Sequence, residues 1–236
     1  MEMIMQSRFS VLFLLTCFML STACFSNQNT LTFNRPDNVP QANYVLELLT
    51  LAYKDIGYEI HLIDFNPQNA LRAANNGTLD GQLGRDNSIE VDFPNLLPVN
   101  YPLFKFKLIL YKNCQQSILN RLDNVAILAD CPIQAQYIKN TQFDGNVIEV
   151  KNISTQLNLL TQKKVKGILL LDFASDSLPI QHPDVCYQKE TLRVTPVYHY
   201  LNKQNAHLIE GLEAALNKLH NNGTAYALKA KYNMYD

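Results

Sequence analysis

The 236 residues carry 20 Lys and Arg against 21 Asp and Glu, a formal charge of −1, with no basic run to follow a phosphate backbone. Past the first 23 residues no apolar stretch reaches membrane-spanning length, so neither a nucleic-acid partner nor a membrane-integral role is expected. The remaining chain, about 213 residues in a sequence that is 47% hydrophobic, is long enough for one large or two small packed domains.

The chain opens like an export signal. Met1–Arg8 contains one Arg, Phe9–Leu20 (FSVLFLLTCFML) is apolar but too short to cross a bilayer, and Ser21-Thr22-Ala23 offers a small-residue cleavage site. Residues 1–23 are therefore expected to be a signal peptide and the mature protein periplasmic. Cleavage would leave Cys24 first; a lipid anchor there is one reading, although Ser21 stands where such signals usually carry Leu. Export puts Cys24, Cys114, Cys131 and Cys186 in an oxidising compartment. Their spacings fit no zinc pattern, and the three in the body allow at most one internal disulfide, whose pairing stays open.

Leu31–Phe33 is a short strand candidate that runs into the breaker stretch Asn34–Asn38. A helix fits Gln41–Ile56, with Tyr44, Val45, Leu48, Leu49, Ala52 and Ile56 on one side at helical steps, and Gly57 ends it. Tyr58–Phe65 reads as a strand, Asp92–Pro102 as a proline-rich loop, and Phe104–Tyr111 (FKFKLILY) as a long strand leaving one lobe for another. Alternation then restarts: strand Val125–Ala129, a helix Pro132–Lys139 with Pro at its first position, strand Val147–Val150. Val194–Leu201 is a second long β-rich segment, a candidate return crossing. Asn205–His220 fits a helix with Ala206, Ile209, Leu212, Leu216 and Leu219 as its stripe; Asn222-Gly223 caps it, and a last helix runs from Thr224 to Tyr232. This terminal pair is expected to pack back on the first lobe.

A repeat underlies the order. Asn69–Asp86 (NALRAANNGTLDGQLGRD) aligns without a gap on Thr155–Asp172 (TQLNLLTQKKVKGILLLD), 86 positions on, matching Leu71 with Leu157, Gly81 with Gly167, Leu83 with Leu169 and Asp86 with Asp172. Each copy reads as amphipathic helix, polar turn and short apolar strand running into a polar residue. That is the αβ half of a parallel-sheet unit, whose ligands gather beyond the carboxyl ends of the strands; chance likeness between two αβ units is the competing explanation.

The chain resembles the family 3 periplasmic solute-binding proteins, the receptors of polar amino-acid ABC importers, from about Asn69 to Tyr232. Leu71–Leu83 followed by Val91-Asp92-Phe93 and Tyr101, Lys166–Asp172 (KGILLLD), and Leu208–Tyr232 (LIEGLEAALNKLHNNGTAYALKAKY) carry the resemblance. It departs from the family in a short segment after Phe33, in lacking the Thr-x-x-Arg motif, and in Gly167 where the family has an acid, as a trimmed branch would. The resemblance implies an α/β fold of the two-lobed periplasmic binding type (type II) with two crossing hinge strands. Residues 29–104 and 203–236 would form lobe I and 105–202 lobe II.

Candidate ligand groups sit at strand ends. Arg85 could grip a carboxylate through two parallel hydrogen bonds, or pair with Asp86 or Glu90 on the surface. In the resembled family the acid at Asp172 meets the ligand's ammonium; its other reading is a loop cap accepting backbone N–H groups. Asn34 and Arg35 follow the first strand and could contribute from lobe I. Cys131 and Gln134 begin a helix whose N–H groups favour anions, against ordinary capping by Asp130. No cofactor is expected, nor a metal: the five histidines lack paired spacing, and His182 with Cys186 is the nearest approach to it. The leading function is a monomeric receptor that closes over a small polar carboxylate such as an amino acid, read by a permease or a sensor protein. Two others compete: a cleft enzyme resembling cyclohexadienyl dehydratases, with Glu90 or Asp86 as acid/base, and a ligand-independent interaction protein.

Overall fold

In chain order the elements are β1 (Asn29–Asn34), α1 (Pro40–Asp55), β2 (Tyr58–Ile63), α2 (Pro67–Asn75), β3 (Gly81–Arg85), β4 (Leu96–Pro98) and β5 (Phe104–Asn113). Next come β6 (Asn124–Leu128), α3 (Pro132–Asn140), β7 (Asn146–Val150), α4 (Ile153–Thr161), β8 (Gly167–Leu171), the single turn α5 (Asp172–Ser175), β9 (Tyr187–Asn202), α6 (Ile209–Asn221) and α7 (Thr224–Lys231). This computed structural model describes residues 29–114, 119–129, 131–175 and 187–234; the expected signal peptide, Cys24, Asp130, His182 and Cys186 lie outside the described residues.

Helix α1 opens on a proline, which has no N–H to leave unpaired, and is followed by Gly57 at φ 81°, a left-handed conformation that favours glycine. The stripe expected from helical spacing is the one it buries: Tyr44, Val45, Leu48, Leu49 and Ala52, joined by Tyr53. These side chains pack with Phe33 of β1 and with Leu212 and Leu216 of α6 to form the first lobe's core. Strands β1 and β2 pair in parallel across α1. Asp80 joins β3 to them: its N–H donates to Thr32 O (2.9 Å), its Oδ2 accepts from Thr32 N (2.7 Å), and its carbonyl accepts from Asn202 N (2.8 Å).

The larger sheet runs β3-β9-β5-β8-β6-β7, with β4 also on β9. β6, β7 and β8 are parallel, whereas β5 is antiparallel to both β8 and β9. Residues of β5, β6 and β8 alternate between two buried faces, Leu108, Leu110, Val125, Ile127 and Leu169 on one, Ile109, Tyr111, Ala126, Ile168 and Leu170 on the other. Strands covered on both sides read as unbroken apolar runs, which is why LILY and GILLL carry no polar alternation. β9 spans both lobes: its first half pairs with β5, its last residues with β3 and β4.

The two copies of the repeat fold into the same pair of elements, although β3 pairs antiparallel with β9 where β8 pairs parallel with β6. Helix α2 and strand β3 recur as α4 and β8 with the same lengths and the same 86-position offset. The expected terminal pair also packs on α1, where Lys218 meets Asp55 (2.6 Å) and Lys231 and the Tyr232 hydroxyl both meet Glu47 (2.6 Å each). Three expectations need correction. The helix expected from Asn205 begins as a 3-10 turn, Lys203–Leu208, because the Asn205 side chain is drawn to Asp80 Oδ1 (2.8 Å); Leu208 is buried and Ala206 is exposed. The loop expected over Asp92–Pro102 contains β4, and the crossing strand expected from Val194 begins at Tyr187. Cys114 is disulfide-bonded, and Cys131 is free.

Candidate ligand-binding site

A cavity of about 750 Å³ opens between the two lobes, of a size that suits a small molecule. Its polar wall is built by the ends of β1 and β3 and its apolar wall by the start of β5, β8 and the residues next to them.

Strand β3 ends in a bulge. Gln82 stands opposite Tyr200 and Arg85 opposite Tyr198, so three steps on β3 match two on β9. An extra residue of this kind bends a strand and re-aims the side chain beyond it. Gly81 permits the approach, since a Cβ there would lie 2.0 Å from Tyr200 O. Gln82, buried at the cavity wall, ties β3 to α2 by donating to Ala70 O (3.0 Å). Behind β3 the Leu83 carbonyl accepts from His199 Nδ1 (3.3 Å), and His199 Nε2 accepts from the Tyr53 hydroxyl (2.7 Å). Burial pulls the His199 imidazole down to about 4, against the raising effect of the Leu83 and Gln82 carbonyls, so the ring is neutral at neutral pH.

Arg85 emerges from this bulge into the cavity wall. Removal from water lowers the pKa of its guanidinium, and the charge of Asp86 opposes that shift. Its Nε is buried with no hydrogen-bond partner. Arginine keeps its charge under such conditions, and a buried N–H donor of a charged group left without an acceptor is costly.

Of the six residues nominated from sequence, Asn34, Arg35 and Arg85 line the cavity together, and Asp172, Cys131 and Gln134 do not. Asn34 uses Oδ1 to accept from Phe65 N (3.0 Å), and exposed Arg35 pairs with Asp64 (2.7 Å) and donates to Leu62 O (3.3 Å). Both therefore brace the β1–β2 edge. Asp172 accepts backbone N–H bonds on both oxygens, from Lys107 (3.0 Å) and Phe173 (2.9 Å), the loop-capping role that competed with ammonium binding. The expected confrontation of Arg85 and Asp172 is not formed in the cavity wall; Asp172's two neighbours, Leu171 and Phe173, line the cavity together with Arg85. Gln134 is fully buried inside lobe II with Oε1 on Leu128 N (2.7 Å), and burial raises the half-buried Cys131 thiol. From this helix start it is Ile133, between them, that reaches the cavity.

Sequence reasoning missed the apolar wall: Phe104, Phe106, Ile133, Leu171 and Phe173. The alternation in FKFK marks Phe104 and Phe106 as sharing one face of β5, which was the available signal; nothing local marks Phe173. The acids nominated for an enzyme are also engaged, Glu90 by the Tyr200 hydroxyl (2.9 Å) and Asp86 by Ser88 N (2.9 Å), and only Asp86 lines the cavity. Among the described residues no group of His, Cys, Asp and Glu could hold a metal ion, and no helix is long and apolar enough to cross a membrane.

No family model and no curated protein matches this chain by sequence. Solved structures match it in fold. The probable amino-acid ABC transporter extracellular-binding protein ytmK from Bacillus subtilis aligns with a TM-score of 0.65 at 15% identity, over 87% of this chain and 98% of that one. An ancestral arginine-binding protein bound to glutamine aligns with a TM-score of 0.60 at 16% identity, over 88% and 99%. The ancestral amino-acid-binding protein AncCDT-1, a precursor of cyclohexadienyl dehydratase, gives 0.60 at 14% over 86% and 95%. At such identities the likeness is one of fold, and it bears out the two-lobed α/β architecture of the periplasmic binding proteins that the sequence motifs imply.

Proposed function

We propose that the protein is a receptor, exported to the periplasm, that closes its two lobes over a small solute and holds the solute's carboxylate at Arg85. Its closed form would be read by a permease or a sensor protein, and the binding step needs no catalysis. One observation carries this reading: a guanidinium largely removed from water, at a strand end, in a cavity wall, with an unpartnered Nε. A carboxylate fits that position because its two oxygens match two parallel N–H donors of one guanidinium. The size of the cavity and the amino-acid-binding proteins that share the fold support the same class of solute.

The enzyme reading needs an acid or base free to act in the cavity, and the two nominated acids are held by Tyr200 and by Ser88. A thermal-shift screen against amino acids, dicarboxylates and polyamines, with recovery of the ligand afterwards, separates the readings. A carboxylate is expected to raise the melting temperature and to be recovered unchanged. Arg85→Ala is expected to remove that rise while leaving the melting temperature of the unliganded protein nearly the same. An equal rise in both proteins would take Arg85 out of the site, and a consumed ligand would make the protein an enzyme.

A further inference from the structure

Resting on that reading, the structure assigns the ligand to a narrower class: a carboxylate joined to an aromatic or branched apolar body, without a charged amine. The inference comes from how the cavity divides. Every charged or amide side chain that lines it stands on the β1, α1 and β3 side, together with Arg85. Across from them lobe II offers Ile133 from the start of α3, Leu171 from the end of β8 and Phe173 from α5. Phe106 of β5 continues this wall and meets Phe173 edge to face, with ring centroids 6.5 Å apart and planes at 76°.

A zwitterionic amino acid needs a second, opposite contact for its ammonium, and burying that cation unpaired costs several kcal/mol. The acid that its place in the chain nominates for this, Asp172, does not line the cavity, and each of its oxygens accepts a backbone N–H. The acids that do line the cavity, Asp37 and Asp86, lie on the arginine's own side. Asp37 is exposed, and Asp86 follows Arg85 directly with Oδ1 on Ser88 N. Among the described residues the far wall therefore carries no charged or amide side chain to pair with an ammonium, and it is built of hydrocarbon. Phe173 is 44% exposed, so apolar surface stands open to water, and an apolar ligand body would cover it.

Isothermal titration with 3-phenylpropionate, L-phenylalanine, L-glutamate and 2-phenylethylamine tests this on the full mature chain. 3-Phenylpropionate should bind at least about tenfold more tightly than phenylalanine, and the amine and glutamate more weakly still. Phe173→Ala, at an exposed position, should weaken 3-phenylpropionate about tenfold while leaving the melting temperature of the unliganded protein nearly the same. Phenylalanine or glutamate binding as well as 3-phenylpropionate, in an Arg85-dependent way, overturns the narrower class and leaves the carboxylate receptor standing. Failure of all three carboxylates, or binding unchanged by Arg85→Ala, overturns both.

Discussion

Asp86 and Asp172 occupy the same place in the two copies of the repeat, and each ends an apolar strand by accepting backbone N–H bonds from the adjoining turn. Asp172 also takes Lys107 N, the amide just before the first β5 residue paired with β8. Asp172 is engaged in ending its strand and does not line the cavity, whereas Arg85 lines it with a buried Nε that has no partner. His199 is held still more tightly. It is completely buried, tilted against Phe33 and edge-on to Tyr53, and linked to Tyr53 and to the Leu83 carbonyl of β3. Its pKa falls from the ordinary 6.5 to about 4, so between those values the unfolded chain binds a proton that the folded one refuses. The His199 contribution is then fully present above pH 6.5 and lost as pH falls to about 4. Urea midpoints taken across that range should show His199→Gln losing an acid slope worth roughly 3 kcal/mol relative to the parent chain. Parallel pH profiles for the two proteins would mean that the imidazole is protonated in the fold.

At the scale of elements, what the chain discloses depends on whether the cause is local. The α1 stripe and the αβ repeat are legible because helical spacing and an unbroken apolar run are properties of the segment itself. The bulge in β3, the short strand β4 and the 3-10 turn before α6 are set by partners: Tyr198 and Tyr200 on β9, and Asp80, which pulls Asn205 out of helical geometry. The same distinction applies to the site. Arg85 is readable as a residue beyond a strand, whereas the apolar wall opposite is assembled from β5, α3 and β8 and exists only after folding. The two glycines matched by the repeat also differ through their partners. A methyl on Gly81 would meet the backbone oxygen of Tyr200 at 2.0 Å, and one on Gly167 would meet the side-chain ends of Leu110 and Leu122 at 2.8 and 2.9 Å. Backbone in a paired strand cannot step aside, while leucine methyls can turn. Gly81→Ala should therefore cost more than about 3 kcal/mol and Gly167→Ala about 1–2 kcal/mol in denaturant titrations. Equal costs would mean that β3 can draw back from β9 to admit the methyl.

For the whole molecule the question is whether the two lobes move. They share β5 and β9, which pair with each other along the full length of β5. That ladder carries its own bulge: Leu108 faces Arg193 and Ile109 faces Thr191, leaving Leu192 as the extra residue. A bulge is a place where paired strands bend and twist without losing the ladder on either side. The cavity lies beside this crossing, with Phe104, Phe106 and Val197 of the paired strands in its wall. A ligand bound by Arg85 on one side and by Phe173 on the other touches both lobes, and such two-sided contacts are what can draw a hinge closed. Small-angle scattering should then show a smaller radius of gyration at saturating 3-phenylpropionate than without it. Arg85→Ala should show no contraction at the same concentration, because the ligand would lose its anchor on the first lobe. If the radius stays fixed in the parent chain while titration proves the ligand bound, the crossing strands form a rigid seam and recognition happens without closure.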